Sequence, residues 1–362
     1  MKVLINTPPL NMVGGVAAFQ RMLRDHMKSN VYYFTVGSRS VRESSWRRLG
    51  RFTGDYARFY RVLRKKKPDL VYLNPSLRSK ALLRDGLFLL IAKGLRKKVL
   101  VFNHGWDLRF EQVIRKRYLW LFRAVFFRSD AFVVLGKMFR DRLVELGYGG
   151  PVYVETTAVD DSLLAEHDDV MQARADQEEP FNMLFLTRIE RAKGIYEALD
   201  AYDMVKRDHP RATLTVAGEG SELDGARQYV QDREMPDITF TGCLHGDAKR
   251  RAFLSSDCYV FPSHAEGMPV SVLEAMACGV PVVTRAVGGL NDFFENGRMG
   301  FMTESHSPEV LAEYIVQLAR DAELRRRIGR FNRTYAEEHF SASKVAARLE
   351  RICCSIVNGQ DV

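Results

Sequence analysis

Four side chains in this sequence, Glu266, Glu274, Arg188 and Lys193, have the types and spacing needed to grip a phosphorylated, hydroxyl-rich molecule. The densest run is Ser263-His264-Ala265-Glu266-Gly267-Met268-Pro269-Val270-Ser271-Val272-Leu273-Glu274-Ala275-Met276-Ala277-Cys278-Gly279-Val280-Pro281. It follows Cys258–Phe261, a short apolar run that reads as a buried strand. Pro269 suits the first turn of a helix, where its missing N–H has no partner to lose. Gly279 suits that helix's C-terminal cap. A loop that enters a helix at the carboxyl end of a strand offers free N–H groups and a positive dipole end, an anion site. Glu266 falls in the loop. Glu274 falls about five residues into the helix, roughly 7–8 Å further along its axis. The two carboxylates can therefore meet different parts of one extended ligand whose phosphates sit at the helix tip, accepting hydrogen bonds from vicinal hydroxyls.

A second cluster, Arg188-Ile189-Glu190-Arg191-Ala192-Lys193-Gly194, directly follows the strand-like Met183–Thr187. Arg188 at the strand end and Lys193 at a helix start can clamp an anion over the same cleft. Read alone, the pair fits a solvated loop better. Gly14-Gly15 lets a backbone approach a phosphate closely, although most such pairs are simple turns. Gly218-Glu219-Gly220 resembles the opening of a dinucleotide fingerprint, but Leu223 stands at its third glycine position and the reading fails in part. Phe102-Asn103-His104-Gly105-Trp106-Asp107 ends a strand, and for His104 a structural and a catalytic role weigh equally.

The elements that must position these residues alternate. In the first half, strands are expected at Lys2–Thr7, Val31–Val36, Leu70–Asn74, Val99–Asn103, Ala131–Leu135 and Val152–Glu155, with a helix from about Val16 to Ser29. Short β-branched runs separated by 20-to-30-residue helical stretches indicate parallel strands with crossover helices. Residues 156–180 are acidic and without period, a candidate linker. The pattern restarts with strands at Met183–Thr187, Ala212–Ala217, Ile238–Thr241, Cys258–Phe261 and Val280–Thr284, and helices near Gly194–Arg207, Ser221–Asp232, 247–255 and 269–278. After Pro308 the chain reads as helical almost to its end. The fold class expected is α/β, two Rossmann-like, doubly wound domains facing across a cleft, with ligands beyond the carboxyl ends of the strands. The boundaries fall at 1–165, 166–345 and 346–362, the last a helix crossing back to the first domain.

The 362 residues are 46% apolar and 27% charged, an ordinary globular composition for about two domains. No apolar run approaches the ~18 residues of a membrane span, and the N-terminus reads as a strand, not a signal peptide. The five cysteines, Cys243, Cys258, Cys278, Cys353 and Cys354, lack paired C-x-x-C spacing and fit neither a disulfide framework nor a zinc site. They read as reduced thiols of a cytoplasmic protein. The net charge of +9 hides an asymmetry: residues 1–155 carry 31 Lys and Arg against 11 Asp and Glu, or +20, and the remainder carries −11. The basic half is expected to face something anionic.

Taken together, these residues resemble glycosyltransferase family 4, retaining nucleotide-sugar enzymes of the GT-B fold. Glu266-x7-Glu274 is similar to the family's paired-glutamate motif, with its E-G-x-P and L-E-A-M-A-x-G-x-P-V-V surroundings. Arg188…Lys193-Gly194 is similar to its R-x4-K-G phosphate clamp. Gly14-Gly15, His104-Gly105 and Gly218-x-Gly220 follow in the family's order. The stretch from Arg128-Ser129-Asp130 to Gly147 is also similar, with Gly136 where the family often has Ser. The likeness is strong over 181–350 and looser before it. Thr157-Ala158-Val159-Asp160 stands where the family has Asn-Gly-Val-Asp, which leaves the hinge geometry open.

The resemblance implies that Arg188 and Lys193 neutralise the donor diphosphate as it leaves, assisted by the backbone of Gly267, Met268, Pro269 and Val270 and by the Gly14-Gly15 loop. It implies that Glu274 binds the ribose hydroxyls, Glu266 the hydroxyls of the transferred sugar, and His104 the donor sugar near its reacting carbon. Gly218 joins the donor-binding set, and Cys243 and Leu244 lie near the base. Attack from the front face, with a departing phosphate oxygen accepting the proton, leaves the protein to position and to stabilise separating charge. No Asp-x-Asp occurs in the chain, so no metal is expected. No cofactor is expected either, the nucleotide-sugar (UDP- or GDP-linked) being a substrate.

Residues 39–67 crowd Arg and Lys among Trp46, Leu49, Phe52, Tyr56, Phe59, Tyr60 and Leu63, and 109–128 add Arg115-Lys116-Arg117 beside Tyr118, Leu119, Trp120, Leu121 and Phe122. An amphipathic face with a cationic flank suits an anionic membrane surface, and that reading is favoured for 39–67. For 109–128, packing on the sheet is favoured. No nucleic-acid module accompanies the charge. The expected partners are a nucleotide-sugar donor, a lipid-linked or glycolipid acceptor and the inner face of a membrane. The alternatives are another enzyme of this fold, such as a nucleotide-sugar epimerase or a glycoside phosphorylase, and a non-catalytic membrane or nucleic-acid binder.

Overall fold

The computed structural model describes residues 1–12, 14–36, 45–75, 79–164 and 180–360, with backbone alone for 45–52 and 79–81. The chain divides into two compact units, Met1–Ala158 with Ala342–Val362, and Val159–Ser341. The breaks fall a few residues before those expected at 165/166 and 345/346, and residues 165–179 of the candidate linker lie outside the described residues.

In the first unit the strands are β1 (Lys2–Thr7), β2 (Asn30–Thr35), β3 (Leu70–Leu73), β4 (Lys98–Asn103), β5 (Ala131–Val134) and β6 (Val152–Val154). They form one parallel sheet in the order β2-β1-β3-β4-β5-β6. Parallel neighbours need a crossover between them, and helices supply it: α1 (Gly15–Arg24), α2 (Ser45–Lys66), α3 (Ser79–Gly94), α4 (Leu108–Val113), a π-helical turn at Ile114–Tyr118, α5 (Leu119–Phe126) and α6 (Lys137–Glu145). The order reverses between β1 and β3. A reversal of this kind opens a crevice at the carboxyl ends of the two strands. Gly14-Gly15 follows β1 there, Asn74 follows β3, and His104 follows the adjacent β4.

The second unit contains β7 (Asn182–Leu186), α7 (Ile195–Asp208), β8 (Thr213–Ala217), α8 (Leu223–Asp232), β9 (Ile238–Gly242), α9 (Gly246–Leu254), β10 (Cys258–Phe261), α10 (Val270–Ala277), β11 (Val282–Arg285), β12 (Gly300–Thr303), α11 (Pro308–Arg320) and α12 (Ala322–His339). Its parallel sheet runs β12-β11-β10-β7-β8-β9 and reverses between β7 and β10. The loops after these two strands are the ones that carry Arg188, Lys193 and Glu266. The fold class read from the sequence is the one observed. The short β12 was not among the strands expected, and the helix expected over 16–29 ends at Arg24.

The last helix, α13 (Ala342–Asn358), returns to the first unit. Val345, Ala346, Leu349, Ile352, Cys353 and Ile356 recur at helical spacing and are buried. Arg348 forks onto Glu155 at 2.8–3.1 Å, and the Ser29 N–H donates to the Glu350 carboxylate. Leu349 is fully buried. Leu349→Ala is expected to destabilise the protein by about 2–5 kcal/mol, read as a lowered midpoint in chemical denaturation. A midpoint within error of the parent would contradict this packing.

The structure corrects the surface reading of the basic half. Phe59 and Leu63 of α2 lie in the core with Phe34, Phe88 and Leu89, and the Tyr56 ring packs at a tilt against Phe88. Of the described residues of that face, Tyr60 alone is exposed. The crossover from β2 to β3 has to cover the sheet, and the aromatic face of α2 does so. Residues 39–44 lie outside the described residues, and the side chains of Trp46, Leu49 and Phe52 are not described. In the second basic segment Phe122 is buried in the same core and Leu119 packs against it, as expected, whereas Trp120 is 71% exposed and Tyr118 about half exposed.

Candidate functional site

The loops after β7 and β10 are tied together backbone to backbone. The His264 N–H donates to the Ala192 carbonyl at 2.9 Å, and Ser263 Oγ donates to the same oxygen at 3.3 Å. Gly194 makes this approach possible. Its φ is 78°, and a Cβ there would lie 2.3 Å from the Pro262 carbonyl oxygen, so a side chain would have to part the loops. The close approach sets Lys193, at the end of a 3-10 turn, against Glu266. The ammonium Nζ lies 2.5 Å from Glu266 Oε1, and Ser263 Oγ donates to that oxygen at 2.8 Å. Both side chains of the pair are largely buried. Arg188 is mostly exposed and pairs with Glu190, Nη1 to Oε1, at 2.5 Å.

The loop from Glu266 leads into α10. Pro269 is its N-cap residue, one position before the first turn where the sequence placed it, and the helix has no side-chain cap. Its first N–H groups and its positive end therefore face the loop. Gly279 follows the C-cap with a φ of 70°, the left-handed stop expected of it. Gly267 accepts from the Gly289 N–H at 2.7 Å, and Met268 packs on the core around α10. Val270 opens the helix.

Glu274, on the second turn of α10, is 7% exposed and meets Lys249 of α9, Nζ to Oε1, at 2.6 Å. Burial pushes the Glu274 carboxyl above its ordinary pKa, and the Lys249 ammonium pulls it back. Lys249 is the site residue that sequence reasoning missed. In Gly246-Asp247-Ala248-Lys249-Arg250-Arg251 it reads as one cation on a solvated helix face, and only the packing of α9 beside α10 singles it out. Leu244 packs on the same core, whereas Cys243 is exposed. Gly218, with a φ of 147°, has its own packing reason: a Cβ would lie 1.9 Å from the Thr187 carbonyl oxygen. Gly218 thus lets the loops after β7 and β8 touch.

On the first unit, Gly14 is the N-cap residue of α1, again without a side-chain cap, and no atom crowds it. His104 stacks on Phe102 with ring centroids 4.0 Å apart and meets the edge of Phe19 at 5.0 Å. Its Nε2 lies 2.8 Å from Asn74 Oδ1. Burial pushes its pKa down to about 3, so the ring is neutral at physiological pH. Among the described residues no three His, Cys, Asp or Glu side chains are placed to hold a metal ion together.

Comparison with known proteins gives this geometry a family. Residues 167–335 match the model for glycosyl transferases group 1, and residues 15–163 match that for glycosyltransferase family 4. The chain belongs to glycosyltransferase family 4. The family assignment covers both units and every sequence-named site residue except Gly14, which sits one position before the matched stretch. Glycogen synthase of Mycobacterium tuberculosis is 29% identical over 245 residues, 67% of this chain and 57% of that protein. The D-inositol 3-phosphate glycosyltransferase of Paenarthrobacter aurescens is 32% identical over 183 residues, 49% of this chain and 45% of that protein. The chain thus spans about half the length of the curated relatives it matches. Among solved structures, sucrose-phosphate synthase from Thermosynechococcus elongatus superposes with a TM-score of 0.76 at 18% identity, over 99% of this chain and 100% of that one. HepE from Anabaena, in complex with UDP and glucose, gives 0.73 at 19%, over 98% and 100%. These likenesses show the GT-B fold, two Rossmann-like units.

Proposed function

We propose that this chain is a retaining glycosyltransferase that moves a sugar from a UDP- or GDP-linked donor to a lipid-linked oligosaccharide or glycolipid, working without a metal ion. The observation that carries the reading is the Lys193–Glu266 pair beside the uncapped start of α10, with Glu274 further along the same helix. A diphosphate offers Lys193 more negative charge than one carboxylate does, and the α10 N-terminus favours that anion. As the ammonium turns to the diphosphate, Glu266 is released to accept hydrogen bonds from the hydroxyls of the transferred sugar. Arg188 exchanges Glu190 for the diphosphate in the same way. Glu274, held as a carboxylate by Lys249, accepts from the ribose hydroxyls. Charge that develops on the departing phosphate then meets fixed cations, and this is the rate-enhancing contribution. The roles of His104 and Gly14-Gly15 follow from the family resemblance. A UDP-type donor agrees with HepE, whose structures hold UDP and UDP-glucose.

The membrane part of the proposal rests on the outward side of the helical layer of the first unit. It exposes Trp120 on α5 and Leu83 and Leu87 on α3, and Lys116 and Arg117 are exposed without an acidic partner among the described residues. Aromatic and aliphatic side chains beside free cations suit an anionic lipid surface. No described helix is long and apolar enough to cross a membrane. The test is a panel of nucleotide-sugars with a membrane-lipid extract presented in anionic vesicles. The expected product is a new glycolipid with the donor's anomeric configuration, formed less well by Trp120→Ser or at raised salt. An epimerised donor with no transfer, or no consumption of any donor, contradicts the proposal.

A further inference from the structure

His104 of the first unit is held by a set of groups whose hydrogen-bond directions are fixed one by one. Asn74 Nδ2 lies 2.7 Å from the backbone carbonyl of Asn6 in β1. A carbonyl oxygen only accepts, so the amide nitrogen of Asn74 faces Asn6 and its Oδ1 faces the other way. That oxygen lies 2.8 Å from His104 Nε2 and 3.4 Å from Gln20 Nε2 of α1, and it also only accepts. His104 Nε2 must therefore carry a proton. Phe102 and Phe19 pack the ring, and burial disfavours a second proton. Nδ1 has no hydrogen-bond partner among the described residues, and His104 as a whole is part-exposed at the carboxyl edge of the sheet.

We propose that Asn74 is the positioning residue that fixes the tautomer of His104, so that the ring offers an unprotonated Nδ1 as a hydrogen-bond acceptor. A neutral acceptor pairs with an O–H donor and is repelled by phosphate or carboxylate. Resting on the function proposed above, this means that His104 meets a hydroxyl of the transferred sugar and disfavours an acidic sugar at that place. The frame behind Asn74 is buried and polar. Asn6 Nδ2 donates to Asp85 Oδ1 of α3 at 3.4 Å, and Asp85 pairs with Arg84 at 2.8 Å. Asp85 is wholly buried, its carboxyl raised by desolvation and lowered by Arg84. This charged pair meets the set through Asn6, which Asn74 joins to His104.

The test is read on the parent protein without donor, so it stands apart from whether sugar transfer is found. In a 15N-labelled sample, with the His104 signals assigned by loss in His104→Gln, long-range 1H–15N correlation reports which ring nitrogen is protonated. The expected spectrum shows Nε2–H and bare Nδ1, unchanged from about pH 8 to pH 5. A proton on Nδ1, or titration of the ring within that range, overturns the assignment. Asn74→Asp supplies the second reading. It keeps an acceptor but adds a charge that favours the imidazolium, so the ring is expected to begin titrating in that range, with kcat falling about tenfold per pH unit below the new pKa. An Asn74→Asp enzyme with the parent's pH profile and the parent's His104 spectrum overturns the role of Asn74.

Discussion

Glu274→Ala is expected to raise the KM for the nucleotide-sugar donor on the order of 10²-fold, with a smaller change in kcat. A carboxylate that accepts from two ribose hydroxyls makes charge-assisted hydrogen bonds, each about 1.5–3 kcal/mol. In the proposed role those bonds fall on a part of the donor remote from the breaking bond, so ground state and transition state lose them alike. Truncation also leaves Lys249 without the carboxylate it meets at 2.6 Å, which adds to the loss. Lys249→Met approaches the same pair from the other side. The ammonium is the group that pulls the Glu274 carboxyl down against desolvation. Without it the carboxyl pKa rises, the fraction ionised falls at any given acidic pH, and the acid limb of kcat/KM moves to higher pH. Donor titrations of the parent and both variants, each across a pH series, check this. A KM near the parent's in Glu274→Ala, or an unmoved acid limb in Lys249→Met, would sink the ribose assignment.

The second large effect belongs to Lys193. Its ammonium is expected to face charge that grows as the diphosphate departs, so Lys193→Ala should lower kcat on the order of 10²- to 10³-fold and weaken donor binding as well. Lys193→Arg keeps the charge, but a planar fork on a longer side chain does not reproduce the point contact of a compact ammonium, and partial activity is expected. The variants need one control. Among the described residues Glu266 keeps only Ser263 as a side-chain hydrogen-bond partner when Lys193 is gone, so a thermal melt must show that the second unit still folds.

Much of the fold was legible because its signals are local. Short apolar runs such as Met183–Thr187, separated by helix-length stretches, admit little besides a parallel sheet with crossovers. Lys193, Glu266 and Glu274 were legible because glycines and prolines fix the loops around them. What stayed hidden depends on distant packing. Lys249 and Glu274 are twenty-five residues apart and meet only because α9 lies beside α10. Asn74 looks like a strand end until β1 and β4 bring Asn6 and His104 to it. The aromatic face of α2 misled for the opposite reason. Its period is the same whether Phe59 and Leu63 cover a sheet or a bilayer, and the structure buries them in the core. Strand β12 is four residues that begin with Gly300 and carries too little pattern to stand out.

The most direct measurement is a calorimetric titration of UDP and GDP into the parent and into Lys193→Ala, each with a chelator and with magnesium. The account predicts saturable binding of at least one of the two nucleotides to the parent, the same with chelator as with magnesium, and loss of most of that affinity in Lys193→Ala. Binding that requires magnesium, or that Lys193→Ala leaves unchanged, would contradict a diphosphate held by the protein's own cations.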